Sequence, residues 1–162
     1  MTIESIKKLI KNNIDISEGD IFTAIIGSNP SQGARSPLLW NAVFKKHVPS
    51  LKMYPFDVEK GKLNDLLSLL EKYPNFVGGA IAAPFKEMVY EFLKNNVDHE
   101  VDLIKSVNSI SKKNNTLYGH NTDGKASLFT FKKKFGEISK KKILILGYGG
   151  VGKSVAAYFS KE

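Results

Sequence analysis

The chain of 162 residues contains no cysteine. That excludes disulfide scaffolds, thiolate zinc sites, iron–sulfur clusters and cysteine nucleophiles. Its three histidines, His47, His99 and His120, are scattered without metal-binding spacing, so no metal site is expected. Arginine is nearly absent too: every basic residue except Arg35 is lysine. Nucleic-acid binders favour arginine for bidentate contacts to bases and phosphates, so no nucleic-acid partner is expected. The net charge of +8 then reads as a lysine-rich solvated surface, and it also suits an anionic small-molecule substrate. No apolar run approaches the roughly 20 residues of a membrane span. The N-terminus, MTIESIKKLIKNNI, alternates charged and apolar residues and builds no signal-peptide core. The expectation is a cytoplasmic protein with no membrane partner. With 42% hydrophobic and 25% charged positions the chain is too apolar for disorder. Its length predicts one domain, or one plus a piece of a second.

Along the chain, strands and helices alternate. Residues 2–12 read as a short amphipathic helix with Ile3, Ile6, Leu9 and Ile10 on one face. Ile21 to Ile26 is a continuous apolar run, the pattern of a strand buried on both sides. The loop GSNPSQGARSP follows, and Ser36-Pro37 opens a helix to about His47, with Leu38, Leu39, Ala42 and Val43 expected inward. Strands are expected at 51–58 and 76–83, and helices at 62–73 and 84–93. Two strands, 106–110 and 116–120, join around Lys113-Asn114-Asn115. A helix over 122–135, a buried strand over 142–146 and a final helix complete the series. This alternation implies an α/β fold: a mostly parallel sheet flanked by helices. In such sheets ligands bind at the carboxyl ends of the strands. Chemistry is therefore sought in the loops at 27–36, 83–86, 119–124 and 147–152.

The string ILILGYGGVGKS satisfies two patterns. As GxGxxG it places Gly147, Gly149 and Gly152 between a strand and a helix, as dinucleotide binding requires. As GxxxxGK[ST] it is a Walker A loop, with Lys153 for a terminal phosphate and Ser154 for magnesium. Only ten residues follow Gly152. They hold neither a Walker B carboxylate nor a ribose-binding residue about 20 positions on, so the string alone leaves both readings open.

Three upstream strings weigh on the choice: the Ser36-Pro37 helix start ending in Trp40-Asn41; Pro84-Phe85-Lys86-Glu87; and Val107-Asn108-Ser109-Ile110 followed by Gly119-His120-Asn121-Thr122-Asp123-Gly124. In this order, closed by the glycine loop, they resemble the shikimate dehydrogenase family. The resemblance runs from about Gly27 to the C-terminus. It implies a substrate-binding catalytic domain over 1–122 and the start of a Rossmann-type NADP-binding domain over 123–162, left incomplete, with the site in the cleft between them. It implies reversible, NADPH-dependent reduction of 3-dehydroshikimate to shikimate, in aromatic amino-acid biosynthesis. Lys86 and Asp123 correspond to the catalytic pair, Asn108 to the asparagine that binds a ring hydroxyl, and Ser36 to a serine that holds the substrate carboxylate. Gly147, Gly149, Gly150, Val151 and Gly152 correspond to the NADP-binding turn. The residue types suit the chemistry. Hydride delivery to a ketone leaves an alkoxide that needs a proton donor, and an ammonium group both donates and stabilises the charge.

The sequence also departs from the family. Ala34 stands where Ser-x-Ser-Pro has its first serine, and Ala82 where a threonine is usual. Each lost hydrogen bond is worth about 1–3 kcal/mol. The expected alternatives are therefore a quinate-like substrate or a non-catalytic relative with a changed carboxylate pocket. Arg35, inside the altered loop, is the candidate replacement clamp, since a guanidinium binds a carboxylate bidentately. Family members also continue well past this length. A unit of about 40 residues buries too little core to stand alone. The chain is therefore expected to be a piece of a longer protein or to complete itself by association, a homodimer being the simplest form.

Overall fold

The computed structural model describes residues 2–162. Its centre is β1 (Ile21–Gly27), in which every residue after Ile21 is buried. A strand buried on both faces needs neighbours on both edges and cover on both sides. β2 (Leu51–Asp57) and β3 (Phe76–Ile81) supply the edges, both parallel to β1, with Ile26 opposite Phe56 on one side and Ile81 on the other. β4 (Ser109–Lys113) and β5 (Thr116–His120) extend the sheet antiparallel, giving the order β2-β1-β3-β4-β5. Asn114 and Asn115 both take positive φ (50° and 57°) between β4 and β5. Those values suit a two-residue hairpin loop, and asparagine tolerates them best after glycine.

The helices are α1 (Ile3–Lys7), α2 (Ser36–His47), α3 (Leu63–Lys72), α4 (Lys86–Leu93), α5 (His99–Ile104), α6 (Asp123–Phe135) and α7 (Gly150–Phe159). In α3 the leucines at 63, 66, 67 and 70 follow the helical repeat and are all fully buried. Phe22 lies at the middle of the core, with the rings of Tyr54, Phe56, Tyr73 and Phe76 at 5.5–6.4 Å. The expected α/β class, sheet and flanking helices are present. No helix of the described residues is long and apolar enough to cross a membrane.

Four local expectations fail, each for a physical reason. The first helix stops at Lys7, because Ile10 pairs with Val58 and the Lys11 amide donates to the Asp57 carbonyl. In α2, Leu38, Leu39, Ala42 and Val43 do not turn inward; Leu38 is 76% exposed and Leu39 64%. α2 lies against β2, the sheet's edge, where Asn41 exchanges two hydrogen bonds with the Met53 backbone, and nothing among the described residues covers its outer face. Residues 142–146 form no strand, since no strand lies beside them to complete a ladder. Leu144 and Leu146 are consequently over 80% exposed. The expected 106–110 strand begins only at Ser109: Asn108 still bonds Ile81 and His120 through its backbone, but the Val107 amide donates to the Lys86 carbonyl of α4 at 2.9 Å. Helix α5 was not expected. Its signal is Asp98, an N-cap whose carboxylate accepts from the Val101 amide at 2.8 Å.

Phe22→Ala should destabilise the chain by about 3–5 kcal/mol, as removal of a fully buried aromatic does. Leu38→Ala on the exposed face of α2 should change stability by less than about 0.5 kcal/mol. Urea unfolding of the two variants beside the wild type checks the contrast.

Candidate active site

The parallel strands end on one side of the sheet, and their loops converge there. After β3, the Ala82 amide donates to the Ile26 carbonyl and the Phe85 amide to the Ala82 carbonyl. Phe85 is buried, so this turn fixes Lys86 at the first position of α4. The Lys86 side chain is 16% exposed, and its ammonium donates to Asp123 Oδ2 at 2.7 Å. Asp123 is the first residue of α6, where the helix N-terminus favours a negative charge. Its other oxygen accepts from Asn108 Nδ2 at 2.8 Å. Asn108 is fixed in turn, its Oδ1 accepting from the Thr122 amide at 3.1 Å. One of the three Lys86 N–H donors is thus engaged among the described residues, leaving two for a ligand.

The glycine loop faces Lys86 across a cleft of about 730 Å³. One wall is Ile81 to Pro84 with Lys86 and Glu87; the other is Ile145 to Gly147, Gly149 to Gly152 and Val155. Gly150 packs closely: a Cβ there would overlap Ser106 Oγ, which would have to rotate away, and would touch Lys86 Cβ. At Gly149 a Cβ would meet nothing within 4 Å. The chain's own packing leaves that position open, and the space suits a ligand approaching the backbone. Lys153 pairs with Glu87 at 2.6 Å, and Ser154 Oγ is buried against Asn121. Both residues that a Walker loop would turn to phosphate and magnesium are engaged by the chain's own groups, which disfavours the Walker reading.

The structure therefore brings Lys86, Asp123 and Asn108 together and sets Gly147, Gly149, Gly150, Val151 and Gly152 across the cleft from Lys86. Ser36 and Arg35 stand apart at the head of α2. Neither hydrogen-bonds to the lysine–aspartate group, and neither lines the cleft. The loop that carries them is anchored at the buried Asp57, whose carboxylate accepts from the Ser31 amide and hydroxyl. Sequence reasoning missed Asn121, and it saw Ser154 only as a magnesium ligand. The clue to Asn121 was its place two residues before Asp123 at a helix start, where asparagine side chains bond nearby amides.

Further along α7, Tyr158 donates to Glu100 Oε2 at 2.6 Å, and Lys161 pairs with Glu100 Oε1 at 2.7 Å. The Glu100 carboxylate, with burial, pushes the Tyr158 phenol up to about 12.

Fold and site define an α/β ligand-binding domain, with its cleft at the carboxyl ends of parallel strands and a glycine loop on the far wall. Residues 25–110 match the family model of the shikimate dehydrogenase substrate binding domain. The chain belongs to that family. It is 29% identical over 142 residues to the shikimate dehydrogenase (NADP(+)) of Methanococcus maripaludis, covering 86% of this chain and 50% of that protein. It is 34% identical over 137 residues to the same-named protein of Pyrococcus furiosus, covering 85% and 49%. A crystal structure of a shikimate dehydrogenase in complex with NADP+ superposes with a TM-score of 0.80 at 27% identity, covering 87% of this chain and 48% of that one. The chain spans about half the length of the curated relatives it matches.

Tyr158 should ionise only near pH 12, seen as the difference between ultraviolet titrations of the wild type and Tyr158→Phe. Its folded-state value is raised above the ordinary 10, so its contribution to stability is complete below pH 10 and lost between about 10 and 12. Glu100→Gln should bring the transition back toward 10.

Proposed function

We propose that the chain is the substrate domain of a shikimate dehydrogenase, over 1–122, with the beginning of its NADP-binding Rossmann domain over 123–162. The activity is reversible, NADPH-dependent reduction of 3-dehydroshikimate to shikimate, a step of aromatic amino-acid biosynthesis. The observation that carries the reading is the Lys86–Asp123–Asn108 group, ordered at 2.7 and 2.8 Å, whose Lys86 lines one wall of a cleft that has the glycine loop as its other wall.

The open space at Gly149 and the close seat of Gly150 fit a dinucleotide on that loop. Gly147, Gly149, Gly150, Val151 and Gly152 would hold it by backbone amides at the N-terminus of α7. NADPH supplies the hydride when bound. The chain's own residues then handle the proton and the substrate. Lys86 Nζ gives a proton to the substrate's carbonyl oxygen as negative charge develops there. Asp123 keeps the ammonium aimed and balances its charge. Asn108, whose two N–H groups are engaged by Asp123 and Thr122, holds a ring hydroxyl through the remaining lone pair of its Oδ1. Ser36 binds the carboxylate, with Arg35 in place of the serine that Ala34 lacks. A cytoplasmic location and a homodimer belong to the same reading; the exposed apolar residues of α2 support the second.

A second reading has its own support. Ala82 lines the cleft and offers no hydroxyl, which suits a quinate-like substrate or a non-catalytic relative.

Calorimetric titration of the chain with shikimate, and separately with quinate, tests both readings. Shikimate should bind, and Asn108→Ala and Arg35→Ala should each weaken it about tenfold, one hydrogen bond's worth. Tighter binding of quinate would favour the second reading. A folded chain that binds neither would overturn the substrate assignment. In an NADPH-oxidation assay with 3-dehydroshikimate, Lys86→Ala should lower the rate by about 10²–10⁴.

A further inference from the structure

We infer that Asn121 and Ser154 are positioning residues that couple the glycine-loop helix to the Lys86–Asp123 pair. The inference rests on the reading of that pair as the catalytic one. Ser154 lies on α7 one turn after Gly150 and is fully buried. Its hydroxyl donates to Asn121 Oδ1 at 2.8 Å and accepts from the Gly124 amide at 2.8 Å. Asn121 is 8% exposed. Its Oδ1 also accepts from the Asp123 amide at 3.0 Å, and its Nδ2 donates to the Ser106 carbonyl at 2.8 Å. A single carboxamide therefore holds three segments: the start of α6 with Asp123, the stretch leading into Asn108, and α7 with the glycine loop.

The helices meet too closely at this point for one to slide freely on the other. A Cβ at Gly124 would overlap the Ser154 carbonyl and the Tyr158 ring. Each polar atom of the node that is named here has its partner, so moving α7 would leave buried groups unpaired, at the cost such groups carry. The relaxation open to the node is to take Asn121, and with it the Asp123 backbone, along. A nucleotide seated on the glycine loop is then felt at the carboxylate that aims Lys86. A role limited to filling space and satisfying hydrogen bonds would lack this consequence.

The test is nuclear magnetic resonance of the whole chain, following the Asn108 carboxamide and Lys86 side-chain signals, neither of which bonds Ser154. In Ser154→Ala both signals should shift without ligand, and Ser154→Thr, which keeps the hydroxyl, should restore them. Lys161→Ala, at an exposed position just beyond α7, should leave them in place. Adding NADP+ to the wild type should move both signals, and Ser154→Ala should lose that response. Shikimate affinity should fall about tenfold in Ser154→Ala. A folded Ser154→Ala chain with both signals at their wild-type positions would overturn the inference. Should that variant not fold, Ser154→Cys, which fills the volume with a weak donor, carries the same two outcomes. Failure of the wild type to respond to NADP+ would count against the cofactor assignment instead, and the ligand-free comparison would still decide the positioning role.

Discussion

An ammonium and a carboxylate held 2.7 Å apart, and only 16% and 22% exposed, set the terms for the whole carboxyl side of the sheet. Withdrawing both charges from water is unfavourable, and their mutual attraction offsets it only with good geometry and further hydrogen bonds. Each partner is accordingly fixed from outside the pair. Lys86 is tied through its carbonyl to the Val107 amide and stands after the buried Phe85. Asp123 has Asn108 on its second oxygen and Asn121 on its amide. Val107 turns to α4 to provide this support, while the Asn108 backbone stays bonded to Ile81 and His120 at the end of the sheet.

This also explains what could be read in advance. Strands β1, β2, β3 and β5 were legible because burial on one or both faces writes itself into the residue pattern, and the β4–β5 turn was legible from Asn114 and Asn115. Lys86, Asn108 and Asp123 were legible only as members of motifs; nothing in a lone lysine at a helix start marks it as paired with an aspartate 37 positions later. The orientation of α2 was illegible because an apolar stripe says that a face is suited to burial, not that a neighbour stands there. The stretch 142–146 has the composition of a buried strand, yet strand formation is a property of a pair, and its partner is not among the described residues.

The glycine loop therefore holds its place by side chains and not by a sheet ladder. Phe131 meets Phe159 at 5.4 Å, Lys153 reaches Glu87, and Tyr158 and Lys161 reach Glu100. The ion pairs are exposed and contribute little individually. The buried Ser154–Asn121 node is different, since its groups have no water to turn to. Register between loop and lysine is set there.

The alanines bear on selectivity more than on affinity. A site built to bond a substrate hydroxyl rejects molecules that lack it, because its own polar group would be left buried and unpaired; a site without that group imposes no such penalty. Ala82 lines the cleft with a methyl group and offers no hydroxyl. On the dehydrogenase reading, the wall at Ala82 neither holds a ring hydroxyl nor penalises its absence. Discrimination then falls to Asn108, whose carboxamide is already committed to Asp123 and Thr122 and can turn to a substrate only within that frame. On that reading the residues that aim Lys86 are separate from Ala82, so the substrate contact at that wall varies without disturbing the proton donor.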